Sequence, residues 1–204
     1  LAAVATALIS ASALAAAPQT SQMGASNFNV SVKAGDSNVA AYDTGTKAKS
    51  SVAYGLGVGY DYAMNSQFGV GAELSYMNWG HSVWTANSNK VNVSSFNVMA
   101  TAQFNVNPQF DTFAKLGFAR VNTQSDGDGT ASTTTSKTTN QIKPLLTVGI
   151  GYTVMPNVNI SAEYDHIFGS SKVATTGNNA PSINAGFVSL TYSFGSGDND
   201  LLQS

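Results

Sequence analysis

Residues 145–168 read Leu-Leu-Thr-Val-Gly-Ile-Gly-Tyr-Thr-Val-Met, then Pro156-Asn157, then Val-Asn-Ile-Ser-Ala-Glu-Tyr-Asp-His-Ile-Phe. Before the Pro-Asn pair, Leu146, Val148, Ile150, Tyr152 and Val154 alternate with Thr147, Gly149, Gly151 and Thr153. After it, Val158, Ile160, Ala162 and Tyr164 alternate with Asn159, Ser161, Glu163 and Asp165. Period-two alternation on both sides of a tight turn predicts a β-hairpin. Successive strand side chains point to opposite faces, so one face here is wholly apolar. The other face is small, polar and acidic. A soluble sandwich or lipocalin-like barrel turns its large apolar residues inward and its charges outward. This hairpin does the reverse, as a barrel does that is apolar toward lipid and polar toward its lumen.

The same alternation recurs along the chain and predicts eight strands, near residues 28–34, 51–64, 67–79, 91–106, 109–122, 141–155, 158–168 and 184–194. Val91 and Val93 fall on the opposite parity from Phe96, Val98 and Ala100, which predicts a bulge at Ser94-Ser95. Three connections are tight: Asn65-Ser66, Asn107-Pro108 and Pro156-Asn157. Four are long and rich in Gly, Ser, Thr, Asn and Lys, at about residues 35–50, 80–90, 123–140 and 169–183. Alternating short turns and long loops are the signature of an all-β, eight-stranded antiparallel up-and-down transmembrane β-barrel, with the turns and both termini on the periplasmic side. We assign it to residues 27–194.

The charges support that reading. Lys33, Asp61, Glu73, Asp111, Lys115, Lys143, Glu163 and Asp165 all take lumen-facing parity. Arg120 is the exception, at the loop end of its strand. A Lys or Arg on the lipid face at mid-membrane costs ~2–4 kcal/mol, which explains the avoidance. Counted up from the turns, Lys33, Glu73, Lys115 and Glu163 lie at similar heights on alternate strands, all inward. An interior of eight strands is just wide enough for side chains to fill it. These four residues are therefore expected to form a closed ion-pair cluster that plugs the barrel, a structural site. Aromatic residues gather toward both ends of the spans, as interfacial girdles do.

Net charge is −2 with only 10% charged residues, which offers nothing to a nucleic-acid backbone. There is no cysteine, so neither a disulfide framework nor a thiolate metal site is expected. No cofactor is expected. Residues 1–15 are an Ala/Leu-rich run ending in Ala13-Leu14-Ala15, which reads as the apolar region and cleavage site of a signal peptide without its basic start. Residues 16–26 read as a polar linker and residues 195–204 as a polar periplasmic tail.

Several runs resemble the small eight-stranded outer-membrane barrels of Gram-negative bacteria: the OmpX/Ail type, the OmpA transmembrane domain and the opacity-type surface antigens. These runs are Gly149-Ile150-Gly151-Tyr152, Ala162-Glu163-Tyr164, Phe113-Ala114-Lys115-Leu116-Gly117-Phe118-Ala119-Arg120 and the aromatic end of the last strand. The resemblance covers about residues 28–194. It implies a monomer in the bacterial outer membrane. Its partners would be outer-membrane lipids, lipopolysaccharide, the barrel-assembly machinery and host or environmental surface ligands. In that family the last strand usually ends the chain with an aromatic residue, whereas Phe194 here is followed by Gly195-Ser196-Gly197 and further polar residues.

Some such barrels modify lipid A, which sets an enzyme reading beside the binding one. A hydrolase needs Ser, His and a carboxylate in mutual reach. His166 stands near Asp165, Glu163 and Ser170 in sequence, but alternation turns it to the opposite face from both carboxylates, and Ile-Phe-Gly follows it rather than the Ser-Asn expected of lipid A deacylases. The glycines of the second and sixth strands precede no helix, so they form no phosphate loop. No catalytic residue is assigned. Trp84, in a long loop, is the candidate recognition contact. The expected role is non-catalytic, in surface interaction, adhesion or envelope integrity, with a small diffusion pore or a lipid-modifying enzyme as the alternatives.

Overall fold

The computed structural model describes residues 26–39, 50–83, 90–126, 137–169 and 180–195. Eight antiparallel strands run in chain order: β1 (Ser26–Val39), β2 (Ser50–Ala63), β3 (Phe68–Val83), β4 (Lys90–Asn105), β5 (Phe110–Asp126), β6 (Lys137–Met155), β7 (Val158–Ile167) and β8 (Ile183–Gly195). Each pairs with its sequence neighbours, and β1 closes on β8 with Phe28 opposite Phe194 and Lys33 opposite Ser189. A closed antiparallel barrel satisfies every strand edge internally, which is what allows strands to cross lipid.

Two of the tight turns repeat one device. In Met64-Asn65-Ser66-Gln67-Phe68, Asn65 Oδ1 accepts the backbone N–H groups of Gln67 at 2.9 Å and Phe68 at 2.7 Å. In Val106-Asn107-Pro108-Gln109-Phe110, Asn107 Oδ1 accepts those of Gln109 and Phe110, both at 2.8 Å. A short asparagine side chain thus satisfies amides that the ladder no longer reaches.

The outer wall is apolar over the turn-side rows. Leu56, Val70, Leu74, Val98, Leu116, Val148, Ile150 and Val188 are all exposed there. Beneath them, toward the turns, stand Phe28, Tyr60, Phe68, Phe104, Phe110, Tyr152 and Phe194, several in tilted or edge contact. Toward the loops the outward rows take in Asp36, Asn38, Asn78, Asn92, Ser94, Arg120, Asn122, Gln124, Asn140 and Asn184, with the exposed apolar Val52, Phe96, Ile142 and Phe168 among them.

The interior changes in the opposite sense. Its turn-side half is polar: Asn29, Ser31, Asp61, Thr101, Gln103, Asp111, Asn159 and Thr191. Its loop-side half is a dry core of Val39, Met77, Trp79, Val93, Met99, Val121, Leu145, Ile167, Ile183 and Phe187, each at most 5% exposed. Along β1, β4 and β5, apolar-out and polar-in gives way to polar-out and apolar-in, whereas β2 stays apolar outward up to Val52. A membrane strand needs only about 9–11 residues, whereas β5 has 17 and β6 has 19. The surplus stands beyond the apolar band and is built like a soluble barrel.

This reversal corrects three expectations. There is no bulge at Ser94-Ser95: β4 pairs with β5 without interruption, and Ser94 and Ser95 lie opposite Asn78 and Met77. Val93 keeps lumen parity because the lumen is apolar at that height. The irregularity lies on β3, between Asn78 and His81, where Gly80 adopts φ 84°. That backbone conformation strains a residue with a Cβ. The strands also run further toward the loops than alternation suggested, to Val39, Val83 and Asp126 and back from Lys137. Ladder pairing continues there although the polarity has inverted. Finally, the lumen is polar over its turn-side half only.

Candidate functional site: a plugged lumen

The site is the middle of the barrel. Lys33, on β1, extends inward across from Gly55 on β2 and Ser189 on β8, and its ammonium lies 3.2 Å from Glu163 and 3.1 Å from Asp165 on β7. All three side chains are at most 3% exposed. Lys115, on β5, lies 2.6 Å from Glu73 on β3 and 3.8 Å from Glu163. The charges therefore run Asp165–Lys33–Glu163–Lys115–Glu73 across the lumen.

The structure brings together the four residues singled out in the sequence, in an open chain. No direct pair between Lys33 and Glu73 closes a ring among the described residues. Three carboxylates face two ammonium groups, and hydroxyls complete the set: Thr147 donates to Asp165 at 2.7 Å and Ser161 to Glu163 at 3.1 Å. The ammonium groups also lie over rings, Lys33 Nζ at 5.2 Å from the centre of Phe187 and Lys115 Nζ at 4.9 Å from that of Phe113. Asp165 and Thr147 are the members that sequence reasoning missed. Both carry lumen parity, and Asp165 sits two residues above Glu163 on the same face. The missing information was barrel stagger, which lifts β7 relative to β1.

Small residues make room for this network. Gly59 lies opposite Asn29, and a Cβ there would come within 2.6 Å of Asn29 Oδ1. The space lets Asn29 reach Asp61, to which its amide donates at 2.6 Å. On the loop side, Trp79 Nε1 donates to Ser95 at 2.8 Å, Ser95 donates to Asn97 at 2.7 Å, and Asn97 donates to Ser75 at 3.3 Å. Ser37 Oγ donates to the carbonyl of Trp79. The indole meets Phe187 edge-on, with centroids 5.9 Å apart. Ion chain and apolar core are thus stacked plugs in one lumen.

The remaining candidates lie apart from it. His166 is on the outer wall, with Nδ1 2.7 Å from Asn184 Oδ1 and its ring edge-on to Phe168. Tyr164 donates to the same Asn184 oxygen at 2.8 Å. Glu163 and Asp165 point the other way, so the wall separates His166 from both carboxylates. Trp84 lies outside the described residues. Among the described residues, no cluster of acidic or imidazole side chains is arranged to hold a metal ion.

A closed eight-stranded barrel with an apolar outer wall and a charged, plugged lumen defines a class: the small transmembrane β-barrels. The family model for the outer membrane protein beta-barrel domain matches residues 1–194, and the chain belongs to that family. An uncharacterized protein of Coxiella burnetii is 25% identical over 179 residues, covering 73% of this chain and 71% of its own. Ail, the attachment invasion locus protein of Yersinia pestis, superposes with a TM-score of 0.58 at 15% identity, over 85% of this chain and 100% of its own. Neisserial surface protein A superposes with a TM-score of 0.58 at 13% identity, over 82% of this chain and 97% of its own. At these identities the two structural likenesses are likenesses of fold.

Proposed function

We infer that this protein is a monomeric surface barrel of a bacterial outer membrane, with a non-catalytic role in surface interaction and no open pore. The turns and both termini lie on the periplasmic side, and the long loops lie outside. The observation that carries this reading is the double reversal of polarity along the strands. It fits a loop end that stands in water on a rigid, dry-cored pedestal, and a lumen blocked at two levels. Residues 1–15 serve as the export signal, and the surrounding lipids and lipopolysaccharide contact the apolar band.

The test pairs adhesion with conductance. Cells producing the wild-type barrel are expected to adhere to abiotic or host surfaces more than cells producing a variant with residues 127–136 replaced by a short turn, at equal surface abundance. Equal adhesion by cells with the wild-type barrel, cells with the variant and cells with no barrel would overturn the surface role. A steady large conductance of the purified protein in planar bilayers would overturn the plug and favour the pore.

A further inference from the structure

Gly186, on the outer face of β8, is a glycine that the barrel itself does not require. At every other described glycine an added Cβ would meet a neighbouring atom within 3.5 Å, whereas at Gly186 nothing among the described residues stands within 4 Å. Glycine inside a strand weakens it, and it marks a bulge, a sharp bend or a place where another molecule approaches the backbone. The ladders through Gly186 are unbroken, with Tyr164 of β7 opposite on one side and Asp36 of β1 on the other. Positive φ is confined, among the described glycines, to Gly80. The close approach of β1 to β8 at this level is made by Gly35, whose Cβ would meet the Gly186 carbonyl. Bulge, strain and strand crowding are thus set aside. What remains is an open notch in the outer wall, floored by exposed backbone.

A second observation is the polar rim of that notch. Tyr164 Oη donates to Asn184 Oδ1 at 2.8 Å, and His166 Nδ1 lies 2.7 Å from the same oxygen. A carbonyl oxygen only accepts, so Nδ1 carries the hydrogen and the neutral ring keeps Nε2 as an acceptor. With its oxygen taken twice, Asn184 turns its two amide hydrogens elsewhere. Neither they nor His166 Nε2 have a partner among the described residues. Below the notch, toward the turns, stands the exposed Val188; above it on the same face stand Asn184 and, on β1, Asn38. The notch therefore lies where the outer face of β1 and β8 passes from apolar to polar, the level of lipid head groups.

We propose that the notch holds the uncharged sugar ring of a membrane glycolipid, whose acyl chains lie along the apolar band below Val188. A pyranose has a face of C–H groups and a rim of hydroxyls. The negative π face of the exposed Tyr164 suits the first, and the Asn184 donors with the His166 acceptor suit the second. A phosphate head group fits poorly, because no Lys or Arg faces outward on β1, β7 or β8 and a carboxylate, Asp36, borders the notch. The absent Cβ of Gly186 lets the ring reach the wall. The inference rests on the outer-membrane reading above only for its source in the cell, where lipopolysaccharide is the glycolipid such a barrel meets.

The test uses the full chain in nanodiscs containing monoglucosyl diacylglycerol and phosphatidylglycerol in equal amounts with matched acyl chains, and native mass spectrometry counts the lipids each barrel retains. One glycolipid per barrel is expected, at least fivefold in excess of phosphatidylglycerol. That preference should vanish in Gly186→Leu, which fills the notch, and in Tyr164→Ala, which removes the ring, and persist in Ala100→Leu on the outer face of β4. Gly186→Leu meets open space, so its barrel should fold and shift on heating in SDS as the wild type does; Tyr164→Ala tests the same preference without filling the notch. Amide-resonance shifts on raising the glycolipid fraction should centre on Asn184 and Gly186. Equal retention of the two lipids, undiminished glycolipid preference in both notch variants, or pairs of barrels that separate in Gly186→Leu would overturn the proposal, the last by making the notch a contact between copies. The nanodisc supplies the lipid, so failure here is distinct from failure of the surface role, which adhesion and conductance read.

Discussion

Replacing Lys33 with alanine isolates the energetic role of the ion chain. Its ammonium is the partner of Asp165, and shares Glu163 with Lys115, which lies 3.8 Å away. Glu163 and Asp165 are 3% and 1% exposed, so solvent cannot take over when the cation is removed. Breaking a buried pair in this way costs about 3–5 kcal/mol, and at about 1.4 kcal/mol per decade that is roughly two to nearly four decades in the unfolding equilibrium. Glu73→Ala is milder. The partner it abandons, Lys115, is 11% exposed and keeps Glu163. Its cost is that of one charged hydrogen bond, about 1.5–3 kcal/mol. Lys33→Ala and Glu163→Ala together should cost less than the sum of the two singles, by about 0.5–3 kcal/mol of coupling. Urea unfolding of the refolded protein in lipid vesicles measures this, with the fully buried Trp79 indole as the fluorescent reporter. The urea slope should stay constant if the exposed surface is unchanged. A Lys33→Ala cost below about 1 kcal/mol, or strict additivity with Glu163→Ala, would refute the idea that these charges hold the barrel as one network.

Trp79→Ala removes the largest side chain of the dry core and the indole N–H that Ser95 accepts, so a loss of about 3–5 kcal/mol is expected in urea unfolding followed by circular dichroism. Asn65→Ala and Asn107→Ala each delete the side-chain oxygen that accepts two backbone N–H groups at an exposed turn, and each should cost about 1 kcal/mol, read as earlier urea midpoints. Protease added to intact cells should cut within residues 127–136 and spare Pro156-Asn157; cleavage at that turn in sealed cells would invert the proposed topology.

What the sequence made legible was parity. Alternation in residues 145–168 gives the hairpin, and the strand charges give the inward face, because burial of a charge in lipid is too costly to occur by chance. Height was not legible. Lys33 meets Asp165 as well as Glu163 because the strands stagger around the barrel, and one strand's sequence carries no record of its neighbours' offset. Val93 shows a second limit. An apolar residue on the inward face looks like a slip in register when the lumen is assumed polar throughout. Only the surrounding Met77, Val121 and Phe187 reveal that the lumen itself has changed character. Arg120 stays on the outer face across from the exposed Phe96 and Ile142, at the upper edge of the apolar band, with Asn122 and Gln124 beyond it on the same strand.

The two stacked plugs respond differently to temperature. The dry core is held by apolar burial, whose stabilisation is tied to a large heat capacity and fades on cooling. The ion chain has little of that dependence, since its stability rests on fixed charges held at hydrogen-bond distance. The loop end, with Trp79 and Phe187, is therefore the part of the barrel that loosens first in the cold, while Lys33 and its carboxylates keep the waist closed.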